Sequence, residues 1–175
     1  MKILLTGGSA CGKSTYGEAL ASSLSYPRYY IAAMEPYGEE GAARVKKHRA
    51  MRRDKGFTTI ERYTDLAHLT LPEPGGVVLL ECLCNLTANE MFSENGAKDR
   101  AVQAVMDGLE NLAGQCATLI VITNDVGSGG NENYSPETCR YVTTLGKINR
   151  KVAADFDIVA ELVCGIPLII KGDRI

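Results

Sequence analysis

No stretch of this 175-residue chain stays apolar over the roughly 18 residues that a membrane-spanning helix needs, so no helical span is expected. A basic segment leading into an apolar signal region is also missing; export is therefore not expected, and the cytoplasm is the expected compartment. Six cysteines (Cys11, Cys82, Cys84, Cys116, Cys139 and Cys164) form neither a C-x-x-C pair nor a Cys/His cluster of zinc spacing. They read as reduced, small core residues. Histidine is scarce: His68 lies in a short leucine-rich segment and reads as structural, which leaves His48. Neither an internal repeat nor a low-complexity stretch occurs, and residues 1–175 are expected to form one domain around one core.

Charge is present but unevenly spread. Between Arg44 and Lys55, seven basic residues stand against one acid, Asp54, which leaves 12 basic against 20 acidic residues elsewhere, a net of −8. A basic arm on an acidic body argues against a nucleic-acid partner and allows either a solvated helix face or a site for small anions. The composition of this arm favours helix, and Arg44, His48 and Arg52 then fall four residues apart on one stripe.

The strongest signal is the stretch from Gly7 to Ser14, which fits the phosphate-binding pattern G-x-x-x-x-G-K-[ST]. An apolar run, Lys2 to Thr6, suits a buried strand before it, and Lys13 to Leu24 suits a helix after it, with Tyr16, Ala19, Leu20 and Leu24 on one stripe. Glycines at Gly7, Gly8 and Gly12 let the backbone curl with its N–H groups inward, and the helix adds its positive end. Lys13 is the candidate catalytic cation for the β/γ-phosphates, and the Ser14 hydroxyl the candidate Mg²⁺ ligand. Ser9, Ala10, Cys11 and Thr15 complete the expected phosphate-contacting set. Cys11 either fills the loop or, when oxidised, hinders nucleotide binding.

Further along, Tyr29 to Ala33, Thr58 to Arg62, Val77 to Leu80 and Ala117 to Ile122 read as strands, and Asp99 to Gln115 as an amphipathic helix. Glu81 closes the third of these strands, where phosphate-loop proteins place a carboxylate that works with Mg²⁺, so it joins Ser14 as a candidate metal ligand. Glu61, near the end of the 58–62 strand, is counted with the nucleotide-binding residues. Thr123 to Gly127 begins a glycine- and asparagine-rich loop at the strand edge where α/β proteins hold ligands. Ser135 followed by Pro136 marks a helix start, and the helix should run to about Asp155. Ile158 to Cys164 and Leu168 to Lys171, joined by Gly165-Ile-Pro167, predict an antiparallel hairpin. The fold class is α/β, a P-loop nucleotide-binding fold with a mostly parallel, doubly wound sheet and an antiparallel C-terminal edge.

These residues together resemble one family, the bifunctional adenosylcobinamide kinase and adenosylcobinamide-phosphate guanylyltransferase of cobalamin synthesis (CobU/CobP). The marks are Ile3 to Gly8 with Gly12-Lys13-Ser14, Tyr30 to Ala32, Ala43-Arg44-Val45 with His48, Leu79 to Leu83 with Thr87 and Asn89, Thr123 to Gly127, Gly146 with Asn149, and Gly165 to Leu168. The resemblance implies phosphorylation of the aminopropanol hydroxyl of adenosylcobinamide by ATP or GTP with Mg²⁺. It then implies transfer of GMP from GTP through His48 to the cobinamide phosphate. Independently, Arg44 and Arg52 on the same predicted stripe would disfavour protonation of His48 and offer donors to the nucleotide's phosphate oxygens. The resemblance also implies a homotrimer in which the basic helix of one subunit lies near the phosphate loop of a neighbour. The chain departs from the family in having Lys47 before the histidine, Arg150 after Asn149, Asp125 in place of a glutamate, and no proline between Ser128 and Tyr134. A single-activity kinase with a basic phosphate clamp is the first alternative, distinguished by whether α-labelled GTP leaves label on the protein. A nucleotide-dependent switch is the second, disfavoured because Thr123 to Val126 lacks the Asn-Lys-x-Asp guanine reader.

Overall fold

The apolar runs marked in the sequence assemble into one sheet. A computed structural model describes residues 1–35, 55–126 and 134–173. Its strands are β1 (Lys2–Thr6), β2 (Arg28–Ala32), β3 (Thr58–Glu61), β4 (Val77–Leu80), β5 (Thr118–Ile122), β6 (Ile158–Val163) and β7 (Ile166–Lys171). Helices among the described residues are α1 (Lys13–Ser23), α2 (Leu83–Phe92), α3 (Ala101–Gln115) and α4 (Pro136–Asp155), with single 3-10 turns at Leu66–His68 and Lys98–Arg100. The sheet order is β3-β2-β4-β5-β1-β6-β7, parallel throughout except for the β6/β7 pair.

Strand alternation divides the core between the two faces. Ile3, Leu5, Leu79 and Ile120 pack with Ala21 of α1, whereas Leu4, Val78, Leu80, Leu119 and Val121 pack with Leu83 and Leu86 of α2, Val105 and Leu109 of α3, and Ile148 of α4. Each face is thus covered by helix, and β4 and β5 are buried along their whole length. With β1 between β5 and β6, α1 on one face and α4 on the other, the crevice of this doubly wound sheet opens at the C-terminal end of β1.

The first helix differs from the expected stripe. Gly17 and Ala21 are its buried small residues, Tyr16, Leu20 and Leu24 pack only partly, and Ala19 is exposed. A Cβ on Gly17 would stand 3.1 Å from Ile122 Cδ1 and 3.2 Å from Leu5 Cδ1, so α1 rides close to the sheet on small residues and its larger ones flank the contact. The segment from Leu83 to Phe92, rich in polar side chains, is helical because those side chains are satisfied inside: Thr87 Oγ1 donates to Leu83 O at 2.8 Å, and Asn89 Nδ2 donates to Ala33 O and Tyr63 O. Buried Glu90 accepts from the amides of Asp65 and Ala97. As expected, α4 starts at Pro136, with Ser135 Oγ accepting from Thr138 N.

The C-terminal hairpin forms, but its turn is Cys164-Gly165, tighter than the Gly165 to Pro167 link expected. Val163 pairs with Ile166 and Leu162 with Pro167, and both turn residues have positive φ (51° and 82°), the two-residue arrangement that matches strand twist. Pro167 therefore lies within β7, which tolerates it as the last strand of the sheet. The cysteines also depart from expectation: all six are free, yet only Cys84 is buried, and Cys164 is exposed. Cys11 and Cys116 pack only partly against the core, and Cys82 caps the start of α2. The described residues contain no helix long and apolar enough to cross a membrane.

Candidate nucleotide site

The Gly7 to Ser14 segment leaves β1 as a loop and enters α1. Gly7 (φ 137°) runs so close to β6 that a Cβ would stand 2.7 Å from Leu162 O, and Gly12 (φ 99°) caps α1 without a side chain, leaving the helix start open to an anion. The Lys13 ammonium is buried and folded back onto its own loop, donating to Gly7 O at 3.0 Å and Gly8 O at 2.5 Å, with Cys11 Sγ at 3.5 Å. Those carbonyls satisfy a desolvated charge that would otherwise be costly, and a triphosphate would offer it stronger, charge-assisted partners.

Across from the loop, β4 and β5 supply the other wall of a cavity of about 350 Å³. The loop residues Ser9 to Thr15 line one side; Glu81, Cys82 and Asn85 come from the end of β4 and the start of α2, Ile122 and Asn124 from β5 and the turn beyond it, and Met34 from the end of β2. Glu81 is largely buried and its amide donates to Ile31 O. Ser14 and Glu81 thus present an alcohol and a carboxylate oxygen to one cavity. That hard-oxygen pair suits Mg²⁺, which keeps several waters, takes substrate phosphates and needs no dense protein cage; among the described residues there is none. A second cavity of about 390 Å³ lies between α3 and α4, where Arg140 pairs with Asp99, but it touches no part of the phosphate loop.

A hydrogen-bonded row fixes the β5 side of the cavity. The buried Cys84 Sγ accepts from Asn124 N at 3.3 Å and has Thr123 Oγ1 at 3.8 Å; Thr123 Oγ1 donates to Asn149 Oδ1 at 2.8 Å, and Tyr141 donates its hydroxyl to Cys84 O. The neighbouring Cys82 thiol lowers Cys84 to about 6, and Cys84 in turn, with burial, raises Cys82 well above its ordinary value. Burial raises Tyr141, keeping its hydroxyl a donor.

Of the residues marked in the sequence, Ser9, Ala10, Cys11, Gly12, Lys13, Ser14, Thr15 and Glu81 meet at this cavity, with Gly7 and Gly8 as acceptors for Lys13. Glu61 is not brought to it: β3 is the other edge strand, with β2, β4 and β5 between it and β1, and Glu61 pairs across from Ala32, beside the point where the chain reaches Glu35. Arg44, His48 and Arg52 lie outside the described residues. His68 sits on the surface, its Nδ1 2.6 Å from Asp65 Oδ1. The sequence reading missed Met34, Cys82, Asn85 and Asn124 as cavity walls. Only Asn124 carried a signal, its place just after a buried strand; the others reach the loop through strand order, which no local pattern encodes.

A phosphate loop at the switch point of a parallel sheet, facing a strand-end carboxylate, defines a nucleotide-binding protein of the P-loop class. Within that class the chain belongs to the family of cobinamide kinase / cobinamide phosphate guanyltransferase (CobU), whose model matches residues 3–170. It is similar to the bifunctional adenosylcobalamin biosynthesis protein CobU of Escherichia coli, at 34% identity over 98% of this chain and 100% of the relative. The protein of the same name from Salmonella typhimurium is 31% identical over 98% of this chain and 100% of the relative. The bifunctional adenosylcobalamin biosynthesis protein CobP of Pseudomonas aeruginosa is 29% identical over 99% of each.

Proposed function

We propose that this chain, as a single domain in the cytoplasm, carries out both reactions named for its family. In the first, the cobinamide aminopropanol oxygen attacks the γ-phosphorus of ATP or GTP, and the nucleoside diphosphate leaves. In the second, a His48 ring nitrogen attacks the α-phosphorus of GTP, forming a P–N bond and releasing pyrophosphate; a cobinamide phosphate oxygen then attacks the same phosphorus and frees the histidine. The observation that carries this reading is the single cavity faced by Lys13, Ser14 and Glu81 in a chain matched by the family model over residues 3–170. Mg²⁺, held by Ser14 and Glu81, would neutralise phosphate charge when bound. Lys13 binds and orients the phosphates, and the loop amides receive the charge that develops as the group transfers. Arg44 and Arg52 clamp the second nucleotide beside His48, with Glu61 at the neighbouring sheet edge. In support, Met34, close to where the described residues break off before that segment, lines the cavity.

We assign a homotrimer to the active form. In support, β7 exposes Ile166, Leu168, Ile169 and Ile170 and has a strand neighbour on one side only among the described residues, an edge that natural proteins usually cover. Incubation with adenosylcobinamide, GTP and Mg²⁺, resolving cobinamide phosphate from the GDP product, tests the two activities, with light scattering under the same conditions reading the assembly. Product that stops at the phosphate would leave a single-activity kinase, and a monomer that is fully active would remove the trimer.

Glu81→Gln keeps the shape of the side chain and removes its charge, so it is expected to raise the Mg²⁺ concentration needed for half-maximal phosphorylation. An unchanged Mg²⁺ dependence would make Glu81 structural.

A further inference from the structure

The β6/β7 hairpin presses on the phosphate loop from the side away from the cavity. Gly165 N donates to Cys11 O at 2.8 Å, and a Cβ on Gly12 would stand 3.1 Å from Gly165 Cα. Neither Cys164 nor Gly165 lines the cavity. The Cys11–Gly12 peptide is trans, since the one cis bond of the described residues is Tyr26–Pro27. In a planar trans peptide the carbonyl and the following N–H point in opposite directions. A Cys11 carbonyl held toward the hairpin therefore turns the Gly12 N–H away from it, toward the phosphate side of the loop. Flipping that peptide would put a carbonyl oxygen where an anion must bind.

We infer that Gly165 is a positioning residue for the nucleotide: the hairpin turn locks the Cys11–Gly12 peptide so that its N–H faces the triphosphate before the ligand arrives. The inference rests on the reading of this loop as the triphosphate site. It gives the Cys164-Gly165 turn a role that the pairing of β6 with β7 does not require. Both turn residues are left-handed, and Gly165 at φ 82° is where only glycine, or at some cost asparagine, sits without strain. Two close approaches, Gly7 to Leu162 and Gly12 to Gly165, leave the loop little room to relax away from the hairpin.

The test compares Gly165→Ala, Gly165→Asn and Lys13→Ala by calorimetric titration with a non-hydrolysable GTP analogue and Mg²⁺. A Cβ at Gly165 meets no atom within 4 Å, so the alanine variant has space to fold and disturbs only the turn conformation. Gly165→Ala is expected to bind about three- to ten-fold more weakly, the worth of one oriented hydrogen bond, with the change in KM for the phosphoryl donor rather than in kcat. Gly165→Asn, which tolerates the left-handed turn, is expected to bind close to wild type. In the wild type without nucleotide, the Gly165 amide should already be protected from hydrogen exchange. Wild-type affinity in Gly165→Ala alongside a loss in Lys13→Ala would overturn the hairpin's role and leave the phosphate site standing, whereas no loss in either would overturn both. Equal loss in the alanine and asparagine variants, or a freely exchanging Gly165 amide, would also overturn it.

Discussion

Replacing Lys13 with alanine is expected to lower cobinamide phosphorylation by about a hundred- to a thousandfold in kcat, the range measured when one charge-stabilising donor is deleted from a transition state. The ammonium is held by Gly7 O and Gly8 O inside its own loop, so it is already desolvated and pointed at the centre of the curl. Exchanging two neutral carbonyls for phosphate oxygens moves it from ordinary to charge-assisted hydrogen bonds, and the gain is greatest when the transferring group is most charged. Truncation also leaves two carbonyls without this donor, which by itself costs stability. Lys13→Met keeps the length of the side chain but, like alanine, offers the two carbonyls no donor, so both variants should lose activity and both should melt below wild type. Unchanged phosphorylation in a folded Lys13→Ala protein would remove Lys13 from the reaction.

The phosphate loop could be read from sequence because every feature it needs is local: a strand, glycines at fixed offsets, Lys13 and Ser14, then a helix. The buried strands followed from unbroken apolar runs, and α4 from Ser135-Pro136. The reading was weaker where tertiary contact decides. In α1 the buried face belongs to Gly17 and Ala21, because the helix approaches the sheet too closely for the larger residues of the expected stripe. In α2 the polar residues Thr87 and Asn89 are buried with all-internal partners, which no periodicity of apolar residues announces. The turn at Cys164-Gly165 was shifted in the reading because proline suggested a loop, whereas an edge strand accommodates Pro167. Glu81 reached the cavity as expected and Asn124 lies in the loop that the sequence placed at the ligand edge, while Cys82 and Asn85 face the loop through the adjacency of β4 and β5 and of β5 and β1.

His48→Ala is expected to abolish guanylylation of the protein while leaving cobinamide phosphorylation that still depends on Lys13. The chemistry needs an uncharged imidazole beside a bound triphosphate, and on the helix that the sequence predicts there, the four-residue spacing of Arg44, His48 and Arg52 would put two guanidinium groups on the histidine's stripe. On that predicted helix the cations would disfavour a third positive charge between them, leaving the ring nitrogen's lone pair free to attack phosphorus, and would offer donors to the phosphate oxygens. Wild-type protein incubated with GTP and Mg²⁺ should gain one GMP by mass, and the bond should break in acid and survive base, as a phosphoramidate does. Arg44→Ala and Arg52→Ala should slow formation of the adduct without abolishing it, because the nucleophile remains. The His48→Ala protein should gain none while keeping a kinase rate close to wild type, because transfer at the γ-phosphorus uses Lys13 and the loop amides rather than the imidazole. A GMP adduct that persists in His48→Ala would put the nucleophile elsewhere in the chain, and an adduct absent from the wild type would reduce the basic segment to an anion clamp serving the kinase alone.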